Sequence, residues 1–417
     1  MTQHEELLKE VVGGAFLPKT PDRIGIAVSG GGDSMALMVM LAELQACLRT
    51  ELFAVTVNHG LRPEARQEAL LVAETAADLG IKHDILTWSG WDGQGNLQDR
   101  ARRARYDLLA DWARRRGIPV IALAHTADDQ AETVLMRLAR ASGADGLSAM
   151  SARRRLDGVT LVRPMLTLRR SDLRDFLRVR GRTWVEDPSN SDSRYERVRI
   201  REAMTLLEPL GLTVPALCNV ADNLSSIRET LNWYTFTEAR GLVGFEAGDL
   251  LIARAGFRLL RPEIARRLLQ RALMWVGGAE YPPRRTAMHL LQEAISAGTG
   301  MTLMGCRITV DTQAIRIFRE FNAVAHLSAP VRETWDGRWK LDGPWPDAAE
   351  IAVLGEAGLA ECPAWRDTGL PRASLLASPA VWHRGVLIAA PLAGRAEGWT
   401  ATLVRDTESY FAALLTD

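Results

Sequence analysis

Three short stretches of this 417-residue chain carry residue types and spacings that could do chemistry. The first reads IAVSGGGDS, from Ile26 to Ser34. An apolar run ends in Ser29, Gly30, Gly31, Gly32, Asp33 and Ser34. Three consecutive glycines cost backbone entropy unless something must approach the main chain closely. Backbone N–H groups between a strand and a helix form an anion-binding nest, and the helix dipole favours the anion. A Walker loop would need a lysine after its last glycine, and none follows. A dinucleotide fingerprint would need a third glycine where Met35 stands. The two hydroxyls can bond phosphate oxygens. Asp33 would repel phosphate unless a cation lay between them, which points to Mg2+ bridging carboxylate and phosphate.

The second stretch, LAHTADDQAET, holds His125, Asp128, Asp129 and Glu132. Asp128 and Glu132 are four apart, on one face of a helix. A histidine and three carboxylates at a helix start can hold Mg2+ or an ammonium group. Helix capping is the competing explanation, because acids favour helix N-termini. The third stretch, ARRARY, puts Arg102 and Arg105 three apart, so both can face one anionic ligand. The alternative there is a solvated basic face. Leu97, Ala101, Ala104 and Leu108 are the expected buried stripe of the same helix.

These stretches need elements to position them. The first 150 residues alternate apolar strands (IGIAV, LFAVTVN, HDILTW, PVIALA) with helical segments. Asn96 is the expected N-cap of the ARRARY helix, and Gly117 its stop. Gly80 is the stop of the helix before it. Such alternation predicts a parallel sheet covered on both faces. Ligands bind at the carboxyl ends of its strands. The glycine loop, the NHG that includes His59, and AHTADD all lie at such ends. The segment to about residue 211, interrupted by Pro164 and Pro188, reads as the end of this domain. Beyond it, RPEIARRLLQRALMWVG places Ile264, Leu268, Ala272 and Trp275 on one helical face and Arg267 and Arg271 on another. GMTLMGCRITVDTQAIRIF alternates like a strand pair turning at Asp311-Thr312. From Val331 onward glycines and prolines punctuate short apolar runs, with six of the twelve tryptophans. They read as the core of a small β-rich domain, or else as platforms for unpaired bases. The expected fold class is therefore α/β. A parallel-sheet domain spans 1–211, a mainly helical domain 212–325 and a small β-rich domain 326–417.

Composition is that of a soluble globular protein, with zero net charge. No start resembling a signal peptide is visible, and no apolar run approaches a membrane span. A cytoplasmic protein with no membrane association is expected. Cys47, Cys218, Cys306 and Cys362 are far apart, with no C-x-x-C pair. They read as four buried free thiols rather than a metal or disulfide framework. Between Arg153 and Arg201 there are fourteen arginines against seven acids. Arginine's planar fork suits phosphate, so this belt reads as a nucleic-acid footprint.

SGGGDS after an apolar strand resembles the PP-loop of the adenylating ATP-pyrophosphatase superfamily. In order, SGGGDS, VNHGLR, ARRARY, LAHTADDQAETVLMRLARASG, LVRPML and EDPSNSDSRYERVRIR resemble the tRNA(Ile)-lysidine synthases. That resemblance implies an adenine-nucleotide α-hydrolase-like catalytic domain followed by two tRNA-binding domains. It implies ATP and Mg2+ as cofactors, and free L-lysine and a CAU-anticodon tRNA(Ile) as substrates. A homodimer is compatible with it. ATP would adenylate the wobble cytidine, and lysine would displace AMP. Ser29 to Ser34 would hold the ATP phosphates, Asp33 the metal, and His59 would lie near the nucleotide. His125, Asp128, Asp129 and Glu132 would line the pocket. Arg102 and Arg105 would bind the lysine carboxylate or the AMP phosphate. One departure stands out: Val198 replaces the asparagine usual in the last motif. The runner-up is another PP-loop tRNA-modifying enzyme, such as a cytidine thiolase, although that class typically uses cysteine pairs.

Overall fold

A computed structural model describes residues 3–60, 65–88, 91, 97–186, 194–279, 281–344 and 349–415. Asn96, Leu61, Arg62, Pro188 and Trp345 lie outside the described residues. The chain forms two compact units, one ending at Arg228 and the other starting at Glu229.

The first unit contains α1 (Gln3–Gly14), β1 (Arg23–Ala27), α2 (Gly32–Leu48), β2 (Glu51–Asn58), α3 (Ala65–Asp78) and β3 (Lys82–Thr87). It continues with α4 (Leu97–Arg116), β4 (Val120–Leu123), α5 (Ala127–Ala139), α6 (Ala144–Leu147), β5 (Arg153–Leu156), β6 (Val159–Val162), α7 (Arg170–Val179) and α8 (Glu196–Leu207). The six strands form one sheet in the order β3-β2-β1-β4-β6-β5. All neighbours are parallel except the β5–β6 edge pair. The chain winds outward from β1 in one direction to β2 and β3. It then returns to place β4 on the other side of β1. The winding reverses at the carboxyl ends of β1 and β4, the place where open parallel sheets bind ligands.

α2 is apolar all round, and every residue from Ser34 to Leu41 is buried. A helix of that kind belongs in a core. It packs with Ile24, Ile26, Leu173, Phe176 and Leu177 in the largest cluster, and so anchors the glycine loop. The buried side of α4 runs through Ala101, Leu109, Trp112 and Ala113. Leu97, Ala104 and Leu108 are only partly covered, so the expected stripe is rotated. The Trp112 indole donates to Asp84 on β3 at 2.8 Å, which fixes the helix in that orientation.

The boundary between the units falls within α9 (Val214–Leu242). The second unit contains β7 (Val243–Glu246), β8 (Asp249–Ala253), α10 (Arg254–Phe257), α11 (Pro262–Gly277), α12 (Arg285–Ser296), β9 (Met301–Leu303), β10 (Cys306–Val310) and β11 (Ala314–Arg319). The remaining elements are α13 (Phe321–Val324), β12 (Ser328–Pro330), β13 (Trp339–Asp342), β14 (Glu350–Val353), α14 (Gly355–Ala360), α15 (Arg372–Leu376), β15 (Pro379–His383), β16 (Val386–Ala389), β17 (Thr400–Leu403) and α16 (Thr407–Leu415). A five-stranded antiparallel sheet, β7-β8-β11-β10-β9, packs under α11, α12 and α16. β10 and β11 pair as a hairpin, and the Asp311 carboxylate accepts from the N–H groups of Gln313 and Ala314 at 2.7 Å in its turn. Arg267, on the opposite face of α11 from Ala272, is buried and donates to Asn232 at 2.8 Å. Two smaller sheets, β12-β14-β15-β16 and β13-β17, follow. Trp335, Trp339 and Trp399 are all buried among them, so these three serve packing. Cys306 and Cys362 are buried, Cys218 is half-buried and Cys47 is exposed. The expectation of four buried thiols therefore fails at Cys47, on the outer end of α2.

Candidate active site

Every sequence-predicted site residue lies in the first unit. Ser29 to Ser34 leave β1, His59 leaves β2, and His125 to Glu132 leave β4. Arg102 and Arg105 come from α4.

The glycine loop is held by its own hydroxyls. Ser34 Oγ donates to the Gly31 carbonyl at 2.9 Å and accepts from the Ser29 N–H at 3.1 Å. The Ser29 hydroxyl lies 3.2 Å from Ser34 Oγ. Since the Ser34 proton is already committed to Gly31, Ser29 is the donor. The hydroxyls therefore shape the loop. No side chain caps α2, so the N–H groups of its first turn remain for a ligand.

The three glycines answer different demands. Gly30 has φ +87°, the left-handed region. Gly31 is extended, with open space around its α-carbon except for Ser29 Oγ at 3.7 Å. At Gly32 a side chain would meet the Trp184 indole at 3.4 Å. Trp184 belongs to a strap laid over the loop. The Val185 N–H donates to the Gly30 carbonyl at 2.9 Å, and Val185 bridges Gly31 in parallel.

The acidic residues converge on a guanidinium that sequence reasoning did not single out. Arg170, the first residue of α7, donates from Nε to Asp33 Oδ2 at 3.1 Å. Its Nη2 reaches Asp129 Oδ1 at 3.1 Å, and its Nη1 reaches Glu132 Oε1 at 3.4 Å. Its backbone N–H donates to Asp128 Oδ2 at 2.7 Å. Asp128 also pairs with Arg169 at 3.4 Å. The carboxylates that share the guanidinium are thus Asp33, Asp129 and Glu132, while Asp128 holds the main chain of the same residue.

Asp129 serves two purposes. Its Oδ2 accepts from the Thr126 N–H at 2.9 Å and from the Thr126 hydroxyl at 3.0 Å, closing a capping box at the start of α5. Its Oδ1 is left for Arg170. Capping and ligand chemistry are therefore not alternatives here. Glu132 is buried, and also takes Arg201 Nε at 2.8 Å and Arg197 Nε at 3.7 Å. Those two arginines are one turn apart on α8. α8 is pressed onto α5 by Ile200, Met204 and Leu207 against Ala131, Val134 and Leu135. Val198, the departure noted in the last motif, is buried.

The opposite wall is basic. Arg102 and Arg154 lie 5.8 and 6.0 Å from the Tyr106 ring centre. Arg163, at the end of β6, donates to the Ser151 carbonyl at 2.7 Å. Burial pushes the Arg105 guanidinium below the ordinary arginine value, and neighbouring Arg102 adds to that. Burial alone would raise the Tyr106 phenol, but Arg102, Arg163 and Arg105 together bring it below its usual value. A cluster of cations around a phenol suits an anionic ligand.

His125 sits where both walls reach it. Burial, then Arg163, Arg105 and Arg197, disfavour its charged form, against a weaker pull from Asp129. It is a neutral imidazole at physiological pH. His59 is also held neutral, by burial and then Arg105. Its ring stacks edge-on against Trp88 at 5.9 Å. Burial raises the Asp33 carboxyl although Arg170 opposes it. Asp129 stays below its ordinary value because Arg170 and the Thr126 N–H outweigh its burial. Arg170 is raised, its carboxylates outweighing burial.

Among the described residues no three His, Cys, Asp or Glu side chains form a metal cage. Asp33 Oδ1, however, is shut off from solvent without a hydrogen-bond partner. Mg2+ typically uses one or two carboxylates and completes its shell with substrate phosphates and water. One free carboxylate oxygen beside an uncapped helix end fits that pattern.

The arginine belt is largely committed internally. Of its fourteen arginines, at least eight pair with carboxylates: Arg169, Arg170, Arg174, Arg178, Arg180, Arg182, Arg197 and Arg201. Among the described residues no single helix is long and apolar enough to cross a membrane.

The model of a PP-loop domain family matches residues 2–207. The tRNA(Ile)-lysidine synthase of Ruegeria pomeroyi is 52% identical over 400 residues, covering 96% of each chain. That of Wolbachia pipientis is 34% identical over 328 residues, covering 76% of each. Among solved structures, the U34-tRNA thiolase NcsA from Methanococcus maripaludis aligns with TM-score 0.47 at 16% identity, over 53% of this chain and 78% of that one.

Proposed function

This chain belongs to the tRNA(Ile)-lysidine synthase family, and we propose from that premise how its residues divide the reaction. It is an ATP-using ligase that joins lysine to the wobble cytidine of tRNA(Ile) with a CAU anticodon. The product pairs as an isoleucine tRNA instead of a methionine tRNA. In the first step the cytidine ring carbonyl oxygen attacks the α-phosphorus of ATP, and pyrophosphate leaves. In the second the lysine side-chain amine attacks the ring carbon, and AMP leaves with the oxygen. The ring oxygen alone is a poor leaving group; as AMP it is a good one.

The observation that carries this reading is the convergence of Asp33, Asp129 and Glu132 on Arg170 at the carboxyl ends of β1 and β4, beside His125, which feels Asp129, Arg163 and Arg105. The uncapped N-terminus of α2 receives the phosphates through backbone N–H groups aimed at the developing charge. Ser29 and Ser34 set the loop's shape. Asp33 would hold Mg2+, which when bound would supply charge neutralisation for pyrophosphate departure. The carboxylates take an ammonium of lysine, and Arg105 with Arg102 takes its carboxylate. A carboxylate of the cluster receives the proton of the attacking amine; burial and neighbouring arginines push His125 down to about 3 and make it a weak base, so it lines the pocket. His59 borders the nucleotide. Residues 212–325 and 326–417 contribute tRNA contacts, in a cytoplasmic enzyme that a light-scattering measurement would find dimeric.

Incubation with ATP, Mg2+, lysine and the cognate tRNA, followed by mass analysis of the wobble base, tests the function. The expected gain is lysine less one water. Replacement of oxygen by sulfur, or no change, would overturn it.

A further inference from the structure

The carboxylate cluster already contains a cation. Arg170 spreads its three nitrogens over Asp33, Asp129 and Glu132. An ammonium group also has three donors to distribute, and with Asp33 given to the metal, Asp129 and Glu132 are the acids a lysine ammonium would use. Asp33 Oδ1 is buried and accepts no hydrogen bond, and Glu132 Oε2 has only Arg197 Nε at 3.7 Å. The guanidinium thus covers the site without satisfying it. Its main chain is fixed, since the N–H is bonded to Asp128 at the first residue of α7. Only the side chain is free to move. Asp33 lies in the first turn of α2, where the triphosphate would bind, so the guanidinium bonded to it already borders the phosphate site. Arginine's fork matches both partners.

We propose that Arg170 is a positioning residue that fills the lysine-ammonium site until ATP arrives, and is then drawn onto the triphosphate, opening the cluster to lysine. The proposal rests on the lysidine-synthase reading of the site. It makes lysine binding conditional on nucleotide, so the amine is not seated before there is a phosphate to activate the base. A ligand shifts such an equilibrium only by its differential affinity for the two states. Here the difference is the charge the triphosphate offers Arg170.

Equilibrium dialysis with radiolabelled lysine tests it, with and without α,β-methylene ATP and Mg2+, on the full chain. For the wild type, the nucleotide should tighten lysine binding at least about tenfold. Arg170→Gln should bind lysine without nucleotide about as tightly as the nucleotide-loaded wild type, and respond little to nucleotide. Arg170→Lys keeps the charge and should keep the nucleotide dependence. Equal lysine binding by the wild type in both conditions overturns the proposal, as does a folded Arg170→Gln that still requires nucleotide. If Arg170→Gln does not fold, the wild type and Arg170→Lys decide by the same criterion. Failure of the lysidine reading would instead appear as no lysine-dependent mass gain on tRNA with the wild-type enzyme, a result the dialysis does not touch.

Discussion

Replacing Gly30 and Gly31 separately by alanine is the sharpest test of how the phosphate loop is built. Neighbouring positions in one motif should respond with opposite signs. Gly30 has φ +87°, and an L-residue there costs about 1–2 kcal/mol. Room is not the difficulty, because the new methyl would lie 3.6 Å from the Glu68 carbonyl oxygen. Flipping the peptide to relieve the strain would break the bond from Val185 N–H to the Gly30 carbonyl, worth about 0.5–1.5 kcal/mol net. Either route is destabilising. Gly31 has φ −72° and ψ 157° with space around it. Alanine there restricts the unfolded chain at no folded-state cost, a gain of about 0.4–1 kcal/mol. The two variants should differ by about 1.5–3 kcal/mol, which for a unit of this size separates their melting temperatures by on the order of 5 °C. Thermal melts followed by circular dichroism, without nucleotide, measure it. Equal melting temperatures, or a lower one for Gly31→Ala, would refute the assignment of strain to Gly30 alone.

Four further outcomes follow from the site. Asp33→Asn should lower pyrophosphate release by about 10²–10³ while its melting temperature stays within a few degrees of the wild type; an active variant would remove Asp33 from the chemistry. Glu132→Gln leaves Arg170, Arg197 and Arg201 facing a neutral amide, and since the last two side chains are 42% and 37% exposed, the loss should be about 1–3 kcal/mol by urea unfolding rather than the larger figure for a wholly buried pair. Burial lowers His59, His83 and His125 from the ordinary 6.5, so the folded state binds fewer protons than the unfolded one. The stability they contribute is complete above pH 6.5 and is lost as pH falls below it; the raised Asp33 works in the opposite sense, and the lowered Glu43 joins the histidines only below 4.5. The melting temperature should therefore fall between pH 7.5 and 5.5, and a rise would contradict the buried neutral state. Arg199, exposed on α8 and donating to the Arg194 carbonyl, should on reversal to Glu weaken tRNA binding and reduce the log-affinity against log-salt slope by about 0.9; an unchanged slope would take it out of the RNA interface.

The centre of the sheet was legible because its strands are short apolar runs buried on both faces, such as Val120 to Leu123. Its helices carry their own punctuation, like Gly80 and Gly117 in the left-handed conformation. The phosphate loop was legible because SGGGDS is local. Arg170 was not. Its contact to Asp33 spans 137 positions, and nothing in LTLRRSDL separates it from thirteen other arginines of the belt. The belt's excess charge likewise did not show which of its arginines have internal carboxylate partners. The face of α4 was misjudged because the Leu108-Leu109 pair offers two registers. Only Trp112, reaching Asp84 on a neighbouring strand, chooses between them.

The strap that ties Val185 to Gly30 joins positions 155 apart, and Glu132 waits for Arg201, 69 positions later. On the ribosome, the nucleotide loop emerges well before the residues that complete it. At about 5–20 residues per second, the gap between Asp33 and Arg201 is roughly ten to thirty seconds of translation. During that interval the nascent chain carries the glycine loop and its acids with neither strap nor counter-charges. The long-range ties thus delay a complete ATP site until the whole catalytic unit has been made, so a prematurely ended product would lack the means to consume ATP.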